Sequence, residues 1–579
     1  MPETPQQTNW TLPLIGILLS APLSALFYLG EQAADLPFLP TNLMDWLIRN
    51  LPGGLITFGI DTMVDLIVWL GLGRVDETAK LMETLMAVGL FMGICTVAGV
   101  AYGMYVYQRL PGNWRWQLAS GLGFGLAIAT PMAIVSDYIL TGNNPFYDGP
   151  TLLARSTWIV GMIAAWGIAF QVVLQRAFAQ PKTTASDVEV GSISTTVGTE
   201  VTPEETPVRT SPASTAPEKA SGTTIERINR RQFLIRLGGA SATITVIGVG
   251  LGELFTEQER VVSLEQDFDF QNFPNANAGV MPAPGTRPEY TPLEDHYRID
   301  INSRNPPEVD GQRWRLTVSG LVEREMEFTL DDLKNNYEPM YQYVTLSCIS
   351  NRIAGDLIST TGWTGVSMQK ILEAVRPTED ATHFLISSAD GFFEIVSREL
   401  IEDDERIMLT YGWDGEELRV KHGFPLRIYI PDRYGMKQPK WITDIEAISE
   451  WRPGYWVEKG WDRDAIMRAT SVIDTVAVDS VITRDQDRLI PIGGIAHAGA
   501  RGISKVEIRV DGGEWVEGQV RQSLSDTTWA IWRYDWPFED GEHTFEVRCY
   551  DGNGEMQILE ENSRRPSGAT GIHEVTQSV

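Results

Sequence analysis

Cysteine and histidine are scarce in this chain: three cysteines and six histidines in 579 residues. Cys95, Cys348 and Cys549 stand far apart, and three thiols cannot make a disulfide framework. No histidine precedes His296, so residues 1–295 cannot supply the paired axial imidazoles of a bis-histidine haem. Basic residues are also few. Lys and Arg number 47 against 76 Asp and Glu, for a formal net charge of -29. That balance argues against nucleic acid as a partner, which calls for a basic face. The length exceeds one ordinary domain and predicts three or more units.

Long apolar runs are abundant, and they crowd the first third. Runs of near-spanning length occur at about 11–30, 52–72, 83–107, 117–139 and 153–175. Glycine recurs within them, as in "GLGFGLAIAT", which suits close helix packing. The region 1–178 therefore reads as a membrane bundle of about five helices. Arg109 and Arg115 place the loop "QRLPGNWRW" in the cytoplasm, and the Lys- and Arg-free "TGNNPFYDGP" outside. Five crossings then put the N-terminus outside. Asp61, Asp65 and Asp137 fall near expected helix ends, where interfacial and functional roles are both open.

Residues 179–226 are rich in Ser, Thr, Pro and Glu and cannot bury enough apolar surface to order, so a disordered cytoplasmic linker is expected. Then comes "INRRQFLIRLGGASATITVIGVGLGELF", within a segment 227–256. Its Arg-Arg-x-Phe-Leu order and mildly apolar run resemble a twin-arginine export signal. An ordinary sixth transmembrane helix fits the same residues. Both readings keep Arg230 and Arg231 in the cytoplasm and put the chain beyond residue 256 outside. The catalytic part is thus expected on the periplasmic or extracellular side of the cell membrane, after a short linker at 257–288.

From residue 289 the pattern changes to short alternating strands with Gly, Pro and Asp turns. "RWRLTVSGLV" reads as a strand, "TLDDLKNNY" as a helix start, and "GVSMQKILEAV" as a helix. This predicts an α+β domain over 289–468. The last segment, 469–579, has short strands with Asp-Gly and Asn-Gly turns, the pattern of a β-sandwich.

Four blocks then occur in order: "HYRIDINSRNPPEVDGQRWRLTVSGLV", "VTLSCISNRIAGDLISTTGWTGVSM", "SADGFFEIV" and "HGFPLRIYIPDRYGMKQPKW". Together they resemble the molybdopterin-binding domain of the sulfite oxidase family. "ISKVEIRVDGGEWVEGQV", "WPFEDGEHTFEVRCYDGNGEMQ" and "RRPSGATGIHEV" are similar to that family's C-terminal immunoglobulin-like, dimerising domain. The implied architecture is multidomain: an α-helical membrane bundle, an α+β sulfite-oxidase-like molybdopterin domain, and an immunoglobulin-like β-sandwich.

The residues themselves fit this chemistry, while leaving alternatives open. A lone cysteine at a strand end before a polar turn suits a thiophilic metal; a buried inert thiol is the common alternative. The basic run around Lys421, His422, Arg427, Arg433, Lys437 and Lys440 opposes the acidic trend of the chain. Arg427 alternates with apolar residues, and a buried Arg wants an anion such as a phosphate.

The resemblance implies more. Cys348 would be the one protein thiolate on a molybdenum held by a single pterin. His422, Arg427 and Lys440 would bind that cofactor, with Lys437, Asn302 and Tyr297 as further contacts and Asn305 beside them. Trp363 and Tyr411 would shape the substrate pocket. Animal sulfite oxidases continue the cysteine motif as Cys-x-Gly-Asn-Arg-Arg. Here Ser350 and Ile353 break it, and Ile353 removes a cation that helps bind sulfite. The spacing looks more like the prokaryotic branch, which includes periplasmic reductases of oxidised sulfur groups.

The sequence reading is therefore a membrane-anchored molybdenum oxidoreductase. It would transfer an oxygen atom on a small oxyanion or an oxidised sulfur or nitrogen compound. Electrons would pass to an external carrier, a cytochrome or a quinone-linked protein; no haem and a possible homodimer are implied. Two other readings stand beside it: a cofactor-free membrane-tethered binding module, and a molybdenum electron-relay subunit of a membrane complex.

Overall fold

The computed structural model describes residues 10–106, 113–178, 230–255 and 261–579. The expected linker at 179–226, Arg109 and the side chains of Arg230 and Arg231 lie outside the described residues.

The first third is helical: α1 (Thr11–Ala34), α2 (Leu39–Asn50), α3 (Gly53–Leu70), α4 (Val75–Ala101), α5 (Trp114–Thr141), α6 (Leu152–Phe178) and, after the gap, α7 (Arg230–Leu254). All but the short α2 are long and apolar enough to cross a membrane, and this marks a membrane protein. Large apolar side chains such as Leu85, Val97 and Val246 are exposed along them, as lipid-facing helices require. Small residues set the packing. A Cβ on Gly125 of α5 would lie 2.7 Å from the Ala164 Cα of α6, so only glycine permits this approach.

Contacts along the helices fix their directions. Leu12 of α1 meets Gly103 just past α4, while Gly30 meets Trp158 at the start of α6. The Tyr102 hydroxyl donates to Ser120 at the start of α5 at 2.9 Å. The start of α1 therefore lies at the same end of the bundle as the loop carrying Arg115. The expectation that the N-terminus and this loop lie on opposite sides required α3 to cross between them. α3 is instead laid along the β-rich half. Asp61 and Asp65 are mid-helix rather than at its ends, and they pair with Arg352, Arg564 and Arg565. Asp137 pairs with Arg155.

The β-rich half begins with strands β1 (Leu316–Gly320), β2 (Met326–Phe328), β3 (Met340–Ser347), β4 (Ile358–Ser367), β5 (His383–Ser388), β6 (Phe393–Ser397), β7 (Met408–Trp413), β8 (Glu416–Glu417), β9 (Arg427–Tyr429) and β10 (Ile442–Ile448). They form two five-stranded sheets. One has the order β2-β1-β10-β5-β6; the other runs β3-β4-β7-β8, with β9 on β7. Leu316, Val318, Ile386, Ile445 and Trp314 fill the core between the layers. The helix expected at "TLDDL" starts with a capping box: the Thr329 side chain accepts from Asp332 N–H, and Asp332 accepts from Thr329 N–H.

The C-terminal part is built of antiparallel strands around Ile490, Ile492, Val506, Trp532 and Phe545. Cys549 is buried among them.

The open ends of the bundle meet the β-rich half. Arg304 pairs with Glu31 at 3.1 Å, Arg74 with Asp295 at 3.2 Å, and the Ser303 N–H donates to Asp45 at 2.8 Å. Lys80 of α4 donates to the Asn302 carbonyl at 2.6 Å and pairs with Asp300 at 3.5 Å.

Candidate functional site

The polypeptide leaves β3 at Cys348 and turns at once. The Cys348 N–H donates to the Leu357 carbonyl at 3.0 Å, and the Asn351 side-chain oxygen accepts from Leu357 N–H at 3.0 Å. These two bonds close the "CISNRIAGDL" loop and aim the thiol inward. The Ser350 N–H points at the sulfur from 3.4 Å, a contact that favours a thiolate. Burial works against it and pushes the thiol pKa up. An electropositive ligand would reverse that balance.

Cys348 lines a cavity of about 310 Å³ between the β-rich half and helices α2, α3 and α4. His296, Tyr297, His422, Arg427 and Lys440 line it as well. Arg427 comes from β9, and its guanidinium stacks over the Trp363 ring at 4.5 Å. One of its N–H groups donates to the His422 carbonyl at 3.0 Å, while its Nε has no partner among the described residues. His422 is placed by Gly423, whose φ of 120° brings the backbone close to Lys440 and Arg427. The His296 and His422 rings lie 5.3 Å apart, and the Nε2 atom of each is buried without a partner among the described residues. Such buried unpaired polar atoms are costly unless a ligand completes them.

Electrostatics agree. Burial, with Arg427 nearby, pulls the His296 pKa down to about 3. Burial and His296 pull His422 well down. Burial lowers Arg427 to about 10 and, with Arg427 and Arg298 adding to it, outweighs Asp300 to lower Lys440. Asp300 pairs with Lys440 at 3.4 Å, so Arg427 is the buried cation of this pocket with no carboxylate partner among the described residues, and an anion would satisfy it.

The buried histidines make stability pH-dependent. In an unfolded chain both titrate near about 6.5. Their folded values are depressed, so the unfolded state binds more protons below that pH. Stability held above pH 6.5 is then lost as pH falls toward the folded values, by about 1.4 kcal/mol per unit for each histidine. Thermal melts of cofactor-free protein are expected to drop between pH 6.5 and 4.5. The His296→Gln/His422→Gln variant should show a shallower slope. Equal slopes would contradict neutral buried histidines.

The other expected site residues divide. Trp363 is fully buried behind Arg427, with its indole N–H on Thr361 at 2.8 Å. Asn302 lines an adjoining cavity, where its amide donates to Asp390 at 3.2 Å. Asn305 donates to Glu31 at 2.7 Å in the same cavity. Tyr411 is not brought to the cavity; it packs in the sheet core with Leu409 and Ile428. Tyr297, clustered with Cys348, lines the cavity, as does Tyr455.

Lys437 is not brought there either. Its amine donates to the buried Glu394 at 2.6 Å. Lys437→Met would strand that carboxylate and is expected to cost about 3–5 kcal/mol in denaturant unfolding. Pterin content per folded molecule should stay unchanged. A pterin loss without a stability loss would restore Lys437 to the site.

Ile353 does not face the cavity. It packs on Val472 and Ile495 at the C-terminal interface. The cation beside the cysteine loop comes from elsewhere: Arg565 donates to the Ser350 hydroxyl at 2.7 Å and is buried. The sequence reading missed Arg565, and it missed His296, which stands next to a named candidate. The Arg pair in "RRPSG" was the available signal for the first.

Residues 303–456 match the family model of the oxidoreductase molybdopterin binding domain. Nitrate reductase [NADH] 2 of Phaseolus vulgaris is 27% identical over 283 residues, covering 39% of this chain and 31% of that protein. Nitrate reductase [NADH] 1 of Oryza sativa subsp. japonica is 28% identical over 278 residues, covering 39% and 30%. The match thus spans about a third of these relatives' length. The sulfane dehydrogenase SoxCD of Paracoccus pantotrophus aligns with a TM-score of 0.43 at 19% identity, over 55% of this chain and 90% of that one. Residues 303–456 are therefore similar to an oxidoreductase molybdopterin binding domain, and the similarity to the nitrate reductases runs over 39% of this chain. Such a domain implies a molybdenum cofactor.

Proposed function

We propose that this chain is a membrane-anchored molybdenum oxidoreductase that exchanges an oxygen atom with a small oxyanion or an oxidised sulfur or nitrogen compound. The observation that carries this reading is the convergence of the Cys348 thiol with His296, His422, Arg427 and Lys440 at one end of a single cavity, which Lys80, Glu83, Asp300 and Asp390 also line. The pocket fits the group: the unpaired Nε2 atoms of His296 and His422 and the Nε of Arg427 are open to an anionic, hydrogen-bonding ligand.

In this reading Cys348 is the protein thiolate on the metal of a single-pterin cofactor. When bound, the cofactor supplies a two-electron couple and the exchange of one oxygen atom. Arg427, His422 and Lys440 hold its anionic part, with His296, Tyr297 and Asn302 around it. Trp363 holds the Arg427 guanidinium in place, and burial strengthens each charge-assisted bond. Ser350 lines the cavity with the thiol, and Arg565, itself paired with Asp61, donates to the Ser350 hydroxyl, so a substrate oxyanion at Ser350 would come next to that cation. Ile353 points away from the cavity, so it does not decide for or against sulfite, and the resemblance favours a reductase of oxidised sulfur groups.

The layout proposed with it is a bundle at 1–178, a linker at 179–226, the helix at 227–256 with a twin-arginine-like start, a short linker to 288, the catalytic domain at 289–468 and an immunoglobulin-like domain at 469–579. The catalytic domain faces the periplasm or exterior, no haem is carried, and an external carrier exchanges the electrons. A homodimer through the last domain is part of the proposal.

Arg565→Leu tests the substrate half. Michaelis constants for oxyanion substrates should rise by about 10-fold or more, the usual cost of losing a buried cationic partner, with molybdenum content unchanged. An unchanged constant for every oxyanion tried would count against an anionic substrate at this place.

A further inference from the structure

Helix α3 has the length and apolarity of a span, yet both its ends are held at the β-rich half. At its start, a Cβ on Gly53 would lie 2.6 Å from the Lys459 carbonyl. Just past its end, Arg74 pairs with Asp295, and the Val75 N–H donates to Asp356 at 2.8 Å. Between these points one flank is polar and paired. Thr57 accepts from the Trp461 indole at 3.2 Å, and Asp61 and Asp65 hold Arg564 at 3.1 and 2.8 Å. These three positions are four residues apart, so they form one stripe along the helix. Another stripe, Leu55, Phe58, Leu66 and Trp69, is exposed and apolar. A helix with these two faces is suited to a membrane interface, with Phe58, Leu66 and Trp69 toward the lipid.

The cavity beneath α3 therefore has two kinds of wall. One end is the cationic pocket around Cys348. The other is apolar and built by the bundle, with Met44 and Ile48 of α2, Ile56, Ile60 and Met63 of α3, and Met86 of α4. Methionine-rich apolar walls adapt to irregular apolar ligands. A small hydrated oxyanion gains nothing from such a wall and pays to lose its water there. Nor can the bundle relay electrons through bis-histidine haem, since no histidine precedes His296. A ligand with a polar ring and an apolar body, dissolved in the bilayer, satisfies both ends.

We propose that the apolar end of this cavity binds a quinone-class carrier drawn from the bilayer beneath α3, which exchanges electrons with the neighbouring site. This rests on the oxidoreductase reading above. The balance closes: a quinol releases two electrons and two protons on becoming a quinone. An oxidised sulfur compound takes up two electrons and two protons as it loses one oxygen as water. Glu83 of α4 lines the same cavity beside Lys80, at 3.0 Å, and is a carboxylate placed to take a proton from the ring.

The test uses the full chain with its cofactor in nanodiscs of synthetic phosphatidylcholine, with a short-tailed azidoquinone as photolabel. Label mapped by mass spectrometry is expected within residues 55–64 and near Met86, and it should be competed away by unlabelled short-tailed quinone. Gly59 lines the cavity, and a Cβ there meets nothing within 4 Å. Gly59→Leu should therefore lower labelling by 10-fold or more without displacing protein, and Ile60→Trp is the second filling variant. Molybdenum is measured in the same samples and should not change. No label at these residues, or label that neither competition nor both filling variants reduce, overturns the proposal in favour of acyl-chain occupancy. Molybdenum present without labelling sinks this inference alone; labelling without molybdenum keeps the quinone site and sinks the enzyme reading.

Discussion

Cys348→Ser is expected to lower both molybdenum retention and turnover by more than about 100-fold, because losing even an outer partner of a metal ligand costs 10- to 100-fold. The thiol is the one cysteine sulfur in the cavity, and the loop that aims it is fixed by backbone bonds to Leu357 and Asn351. Serine fits the same space, so folding should be retained. A serine hydroxyl is a poor ligand for a thiophilic metal. The pterin should stay, since His422, Arg427 and Lys440 do not depend on the sulfur. Metal by mass spectrometry and pterin by fluorescence after oxidation would separate the two. Equal loss of metal and pterin would mean that the cysteine loop supports the whole pocket rather than the metal.

The second large effect concerns Arg427, and it has opposite signs with and without cofactor. This guanidinium is buried, lacks an anion among the described residues, and leaves its Nε unpaired. Replacing it with methionine relieves a buried charge at the cost of its stacking on Trp363. Cofactor-free protein should be as stable as the parent or gain up to about 2 kcal/mol. Cofactor affinity should fall by about 30-fold or more, since truncating a buried charge partner costs about 2 kcal/mol or above. Urea unfolding of the cofactor-free form and pterin content of the purified form are the two readings. A large loss of stability without cofactor would make Arg427 a structural residue.

Local patterns were readable from sequence, and distant partners were not. The helix start at Thr329, the strand before Cys348 and the apolar helices arise from neighbours in the chain. The basic run pointed to the pocket, but it could not say which of its members turn inward. Lys437 turns to Glu394, 43 residues away. Tyr411 sits on a strand buried on both sides, where alternation gives no sign of which face holds a site. Ile353 looked like a missing cation, yet its side chain serves the interface with the C-terminal part. Helix α3 shows the limit most clearly. Its hydropathy is that of a span, and only Asp61 and Asp65, four residues apart, hinted at a paired face. Their partners Arg352, Arg564 and Arg565 lie hundreds of residues further on.

This placement makes both halves line one cavity. The cavity at Cys348 is not a cleft open to water on every side, because α2, α3 and α4 form part of its wall.

The most direct measurement is the metal and pterin content of the purified full-length chain. Inductively coupled plasma mass spectrometry is expected to find about one molybdenum per chain, as a single-thiolate site requires, with one oxidisable pterin alongside. Folded, membrane-inserted protein from molybdenum-replete cells that carries neither would contradict the account at its centre.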